Sequence, residues 1–229
     1  MTKKIVVCLV CLSVLLSFFG CTQPEDIRGQ VSGNTVTTAP EETTAEPTVP
    51  QPEFSIGSSA GNTYKNEFIG IRCTLDETWV FKTDEEMQAI NQTSAEMVGD
   101  EYKDMIANAA VVQDMMATNS NQLDTVNVVL EKLNGVAVLL SEEQYMNAAK
   151  DPAVNALSSM GLKIVSAEVI TLQFAGQEHV ALTIEADVGG IPMYECMVVV
   201  KCSGYMACVT ACTWQENTCL DILSQFEPC

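Results

Sequence analysis

GLKIVSAEVITLQFAGQEHVALTIEADVGGIPMYECMVVVKCSGYMACVTACT, residues 161–213, is the stretch whose reading decides the fold. It contains four β-rich runs: KIVSAEVITLQF (163–174), HVALTIEAD (179–187), PMYECMVVV (192–200) and YMACVTACT (205–213). Short glycine-bearing breaks separate them, at Gly176-Gln177, Gly189-Gly190 and Ser203-Gly204. Loops this short join strands antiparallel, because a parallel return needs a crossover of a dozen or more residues. An antiparallel meander is therefore predicted. Met197-Val198-Val199-Val200 has no polar side, so both faces of the sheet must be covered. Helices on both faces are the expected cover.

Upstream, FIGIRCTL (68–75) reads as a strand, and WVF (79–81) as a second one after the Asp76-Glu77 turn. Thr83 and Glu86 form a capping box that opens a helix to about Asn91. The spacing of Met105, Ala109, Val112 and Met116 predicts a helix over Gly99 to Ala117. DTVNVVLEKL (124–133) is β-branched and alternating, hence a strand. Ser141 and Gln144 make a second capping box, opening a helix that Pro152 interrupts and Gly161 ends. Thr218 to Phe226 is expected as a closing helix, stopped by Pro228.

Residues 64–228 resemble PsbP-like domains. YKNEFIGIRCTLDETWVF resembles their opening strand and hairpin leading to a Trp, the 161–213 stretch their β-meander, and CLDILSQFEP their final helix. The resemblance implies an α/β/α sandwich with a mainly antiparallel sheet covered by helices on both faces. Its best-known members bind macromolecules rather than catalyse. It carries over no binding residue, and fold alone does not fix function.

The N-terminal segment speaks to location. Lys3 and Lys4 precede an uncharged apolar run from Ile5 to Phe19, closed by Gly20-Cys21. A basic start, a short apolar stretch and a small residue at the cut make a secretory signal. As a helix the run is about 22 Å long, short of the ~30 Å hydrocarbon core. It resembles a bacterial lipoprotein signal, with residues 1–20 removed and Cys21 lipidated. Phe18 and Phe19 depart from the usual residues before the cysteine. Residues 21–60 include TTAPEETTAEPTVPQPE (37–53), acidic and Pro-interrupted, which cannot bury enough apolar surface to order itself. They are expected as a disordered tether, and residues 61–229 as one globular domain. Cleavage removes only Lys3 and Lys4 among charged residues, leaving 9 bases and 30 acids, a net charge of −21. Such a chain is repelled by nucleic acid, because phosphate binding needs Lys and Arg to displace counterions.

Seven cysteines remain beyond Cys8, Cys11 and Cys21: Cys73, Cys196, Cys202, Cys208, Cys212, Cys219 and Cys229. An odd count leaves at least one unpaired. Free thiols in an exported chain suit an anaerobic, single-membrane bacterium. The cluster from Cys196 to Cys219 contains no C-x2-C, the usual metal or redox unit. Cys208 and Cys212 would lie about 13 Å apart along a strand. A two-residue Ser203-Gly204 loop sets Cys196 and Cys208 on opposite faces. A three-residue Cys202-Ser203-Gly204 loop, the favoured reading, sets them on one face. Small buried hydrophobes are the expected role, with a disulfide, metal or redox site as the competing one.

His179 is the lone histidine and is expected near a turn, exposed at a sheet edge. Glu85-Glu86, Asp100-Glu101 and Glu142-Glu143 fall at helix starts, where the dipole favours them, rather than as catalytic pairs. Met115-Met116, Trp79 and Trp214 are expected in core or rim packing. No phosphate loop, G-x-S-x-G or H-E-x-x-H pattern occurs. The sequence thus predicts no catalytic residue, no metal ligand and no cofactor, with Cys21 as the site of lipid attachment. The expected protein is a monomeric, non-enzymatic binding or interaction module. It is held on the extracytoplasmic face of the cell membrane through Cys21, with a protein partner in the envelope and no nucleic acid. The alternative is a thiol- or metal-dependent envelope protein using Cys196–Cys219.

Overall fold

The computed structural model describes residues 53–87 and 111–229. In chain order these form β1 (Ser58–Ala60), β2 (Thr63–Asn66), β3 (Ile71–Thr74), β4 (Trp79–Phe81), β5 (Val111–Asn119) and β6 (Thr125–Lys132). A 3-10 turn (Gly135–Leu139) leads to α1 (Glu142–Ser159). Then follow β7 (Lys163–Phe174), β8 (Gln177–Asp187), β9 (Pro192–Cys202), β10 (Tyr205–Trp214), α2 (Cys219–Leu223) and β11 (Phe226–Pro228). Among the described residues, seven strands make one sheet in the order β4-β5-β6-β10-β9-β8-β7, and four make a second, β1-β2-β3-β11. All recorded pairings are antiparallel. The predicted meander is β7 to β10.

The expected α/β/α sandwich is not the fold. One face of the large sheet is covered by α1, through Tyr145, Met146, Ala149, Ala153 and Leu157 packed on Leu182, Ile184, Met197 and Val199. The other face is covered by the small sheet, with only short α2 beside it. Tyr64, Ile71, Cys73 and Phe226 meet Val128, Val198, Ala207 and Val209 there. Two-faced apolar strands demand two covering layers, but an apolar sheet face buries them as well as a helix does.

Local differences have physical causes. Val111–Asn119 is a strand rather than the end of a helix; the rest of the predicted Gly99–Ala117 helix lies outside the described residues. The 3–4 spacing also fits a strand that carries a bulge, and β5 shifts register between Gln113 and Met115. Pro152 does not interrupt α1. Buried Ala149 before it and Ala153 and Leu157 after it hold the helix to the sheet on both sides. The Ser141–Gln144 capping box forms as predicted. At the far end Leu162 N–H donates to Leu157 O and Gly161 N–H to Ser158 O, with Gly161 at φ +91°, a Schellman stop. Thr83 and Glu86 also cap each other, over a helical turn at 84–87, beyond which the description stops. The closing helix ends at Leu223, and Phe226–Pro228 instead pairs with β3 at the small sheet's edge, where proline's missing donor is tolerated.

Residues assigned to the tether also pack. Phe54 stacks on Tyr205 at 4.6 Å and meets Phe68 edge-on at 5.3 Å. Asp114, the bulge residue of β5, clamps the two sheets together. It accepts from Gly57 N–H (2.7 Å), Tyr64 O–H (2.5 Å) and Asn66 Nδ2 (2.7 Å).

Candidate functional site

The hairpin register settles where the thiols go. Cys202 pairs with Tyr205 across a two-residue Ser203-Gly204 loop, with φ +43° and +80°. Positive φ at both central residues is the primed turn that matches strand twist. The favoured three-residue loop is therefore wrong. Cys196 packs toward the small sheet with Cys219, while Cys208 and Cys212 face α1. The sheet thus divides the cluster. Cys202 donates to Phe68 O at 3.0 Å, and Cys229 is exposed. All seven described cysteines are free. Burial pushes the Cys73, Cys196 and Cys208 thiols up to about 12 and Cys219 to about 11. Thiols held protonated are poor nucleophiles and poor metal ligands. Among the described residues no group of three or more His, Cys, Asp or Glu is placed to hold a metal ion.

His179 is not exposed as expected. Its side chain is 12% accessible, and Nδ1 lies 3.0 Å from Glu142 Oε1. The same carboxylate accepts from Lys201 N–H (3.0 Å) and Val180 N–H (3.4 Å). Burial acts to raise the Glu142 carboxyl, but these bonds together hold it below the ordinary range. Glu142 thus sits at the start of α1 as predicted and also pins the helix to β8 and β9. Cys21 and Asp100-Glu101 lie outside the described residues.

The residues that the sequence reading passed over are polar side chains inside the sheet. Register places them in rows across β5, β6, β10 and β9, on the face that looks toward α1. One row reads Met116, Asn127, Thr210, Met197; the next reads Thr118, Thr125, Cys212, Glu195. Gln113 lies opposite Val129 on the same face, and Trp214 ends β10 there. α1 itself packs over β7, β8 and β9, where this face is apolar.

On this face, seven buried polar atoms have no hydrogen-bond partner among the described residues: Gln113 Oε1 and Nε2, Thr118 Oγ1, Asn127 Oδ1, Glu195 Oε1, Thr210 Oγ1 and Trp214 Nε1. An unpaired buried polar group costs about 1–3 kcal/mol. The electrostatics of this face are close to neutral. Glu195 is 3% exposed, and burial raises its carboxyl to about 8, so at pH 7 it is mainly the uncharged acid. Glu131, six residues along β6 from Thr125 on the same face and 1% exposed, is likewise raised to about 8 by burial, against the lowering effect of the bond it accepts from Tyr145 O–H (2.5 Å). A signal was present in the sequence. DTVNVVLEKL places Thr125, Asn127 and Glu131 at even spacing, on one side of a strand too apolar to be a surface strand.

No family model matches this sequence, and no curated protein matches it. Among solved structures, the chain is similar to LpqN, described as involved in cell envelope biogenesis of Mycobacterium tuberculosis. The identity is 11%, the match covers 69% of this chain and 82% of that chain, and the TM-score is 0.40. A likeness at that level carries no functional argument. None of these comparisons supports the PsbP-like resemblance of residues 64–228.

Proposed function

We propose that this protein is a non-enzymatic binding module, tethered by lipid on Cys21 to the extracytoplasmic face of a bacterial cell membrane. It takes a polar ligand on the β5-β6-β10-β9 face. The observation that carries the binding role is the convergence, on one face of one sheet, of seven buried polar atoms without a partner among the described residues. The thiol in the same row as Thr125 and Glu195, Cys212, is held protonated by burial. The tether rests on the basic start, apolar run and cysteine of residues 1–21. A net charge of −21 on the mature chain supports a ligand or envelope partner that is not a nucleic acid.

Two measurements test this reading. Cys21→Ala should release the protein to the soluble fraction while the domain stays folded, since the acyl chains are the anchor. Retention on membranes in high salt contradicts the tether. Metal analysis of anaerobically purified protein should find no stoichiometric zinc or iron. Metal that disappears with Cys208→Ser favours the thiol reading instead.

A further inference from the structure

A lipid tether through Cys21 leaves open which part of the domain meets the bilayer, and the place where the tether joins the domain narrows it; the inference rests on that tether. We propose that the Ser203-Gly204 end of the domain is a membrane-contact surface, with Leu139, Val138 and Ile56 inserted at the boundary between lipid headgroups and acyl chains.

Position is the first argument. Phe54 stacks on Tyr205, the first residue of β10 after the Ser203-Gly204 loop, so the chain from Cys21 reaches the domain at this end. The 3-10 turn lies at the same end. Lys132, the last residue of β6, pairs with Tyr205, and Leu133 N–H donates to Gly204 O (2.8 Å) just before the turn. Exposure is the second. Leu139 is 81% exposed and Ile56, two residues beyond Phe54, is 65% exposed. They are the two most exposed large apolar side chains among the described residues, and Val138 is exposed beside Leu139. Val80, Val165, Ile191 and Leu220 are spread over β4, β7, the β8–β9 loop and α2. Rigidity is the third. Ala137 is buried and Leu140 packs against the same core. Leu140 N–H donates to Ala137 O (3.1 Å), and Lys201 Nζ donates to Leu140 O (2.7 Å). Val138 and Leu139 are thus held outward by neighbours fixed inward. Water gives such side chains nothing, whereas insertion into a bilayer removes their apolar surface from it.

The tether makes a weak contact sufficient. The roughly 33 residues from Cys21 to Phe54 reach about 30 Å as a coil. A linker of that length holds the domain near the surface at an effective concentration of about 1 mM. Insertion too weak to hold a free domain then holds a lipidated one. Charge is not the attraction, because a mature chain at −21 is repelled by anionic headgroups. The contact should therefore be insensitive to salt.

The test uses the full lipidated protein in phosphatidylcholine vesicles, with and without lipid brominated along its acyl chains, which quenches an indole that enters the bilayer. The native tryptophans serve as controls. Trp79 pairs with Asn119 and Trp214 with Met193, at the opposite end of the large sheet, and β10 sets Trp214 about 30 Å from Tyr205. Leu139→Trp places an indole at the proposed contact, and Ile56→Trp is the second probe if the first variant does not fold. The introduced indole should lose about half or more of its emission to brominated lipid, the occupancy expected of a contact with a free-standing Kd near the effective concentration. The loss should be the same in about 0.1 M and about 1 M salt, and the unsubstituted protein should show none. Vesicles that float with the protein but leave the introduced indole unquenched overturn the inference and leave the tether standing. Quenching that disappears in high salt, or quenching of the unsubstituted protein, also overturns it. Protein that does not float with the vesicles overturns the tether and the contact surface together.

Discussion

At the residue scale, the carboxylates divide into three kinds. Asp114 joins two sheets through three hydrogen bonds. Asp114→Ala strands Tyr64 O–H and Asn66 inside the protein and should cost about 3 kcal/mol or more in urea unfolding. Gly57→Ala should damage the same clamp, because a Cβ there meets Tyr64 Cε2 at 2.5 Å and Asp114 Oδ2 at 2.8 Å. Glu142 has its folded-state pKa lowered, so the stability it adds is present above the ordinary carboxyl value and is lost as pH falls through the folded one. Glu131 and Glu195 have theirs raised from 4.5 to about 8. Their contribution is present below pH 4.5 and is lost as pH rises to about 8, by up to ~1.4 kcal/mol per pH unit for each. The domain should therefore be more stable at pH 5 than at pH 8. Glu195→Gln should flatten that slope in thermal melts across the range, and an unchanged slope would mean that Glu195 does not titrate there.

At the element scale, the sequence was legible where turn chemistry and period agree. The four meander strands, both capping boxes and the Gly161 stop were readable from local residues. β5 was not, because its bulge at Gln113–Met115 breaks the two-residue alternation and leaves apolar positions at helix-like spacing. β11 was not, because three residues ending in proline pair only through tertiary context. The Ser203-Gly204 loop was ambiguous for a definite reason: serine seldom takes positive φ, yet both residues do here. Ser203→Asn, which tolerates that conformation better, should raise stability by about 0.5 kcal/mol with the hairpin register unchanged. A loss of stability, or altered pairing of Cys202 with Tyr205 by NMR, would contradict the two-residue turn.

At the scale of the whole molecule, apolar strands revealed two covered faces but not what covers them. Tyr64, Phe68 and Ile71 fill the second layer; FIGIRCTL reads as a strand, but nothing in its residues says that it builds a second, covering sheet rather than joining the first. The polar face was missed for a related reason. Its members come from β5, β6, β9 and β10, up to about a hundred positions apart, and only the register brings them side by side. The account's central claim is that this face is kept for a ligand rather than for the fold. Urea unfolding of Asn127→Leu and Thr210→Val at pH 7, without added ligand, tests it most directly. If Asn127 Oδ1 and Thr210 Oγ1 bond to nothing in the free protein, each substitution removes an unpaired buried group, and stability should rise by about 1–3 kcal/mol. A fall in stability of that size would show that both groups are bonded within the fold, and the face would then be structural.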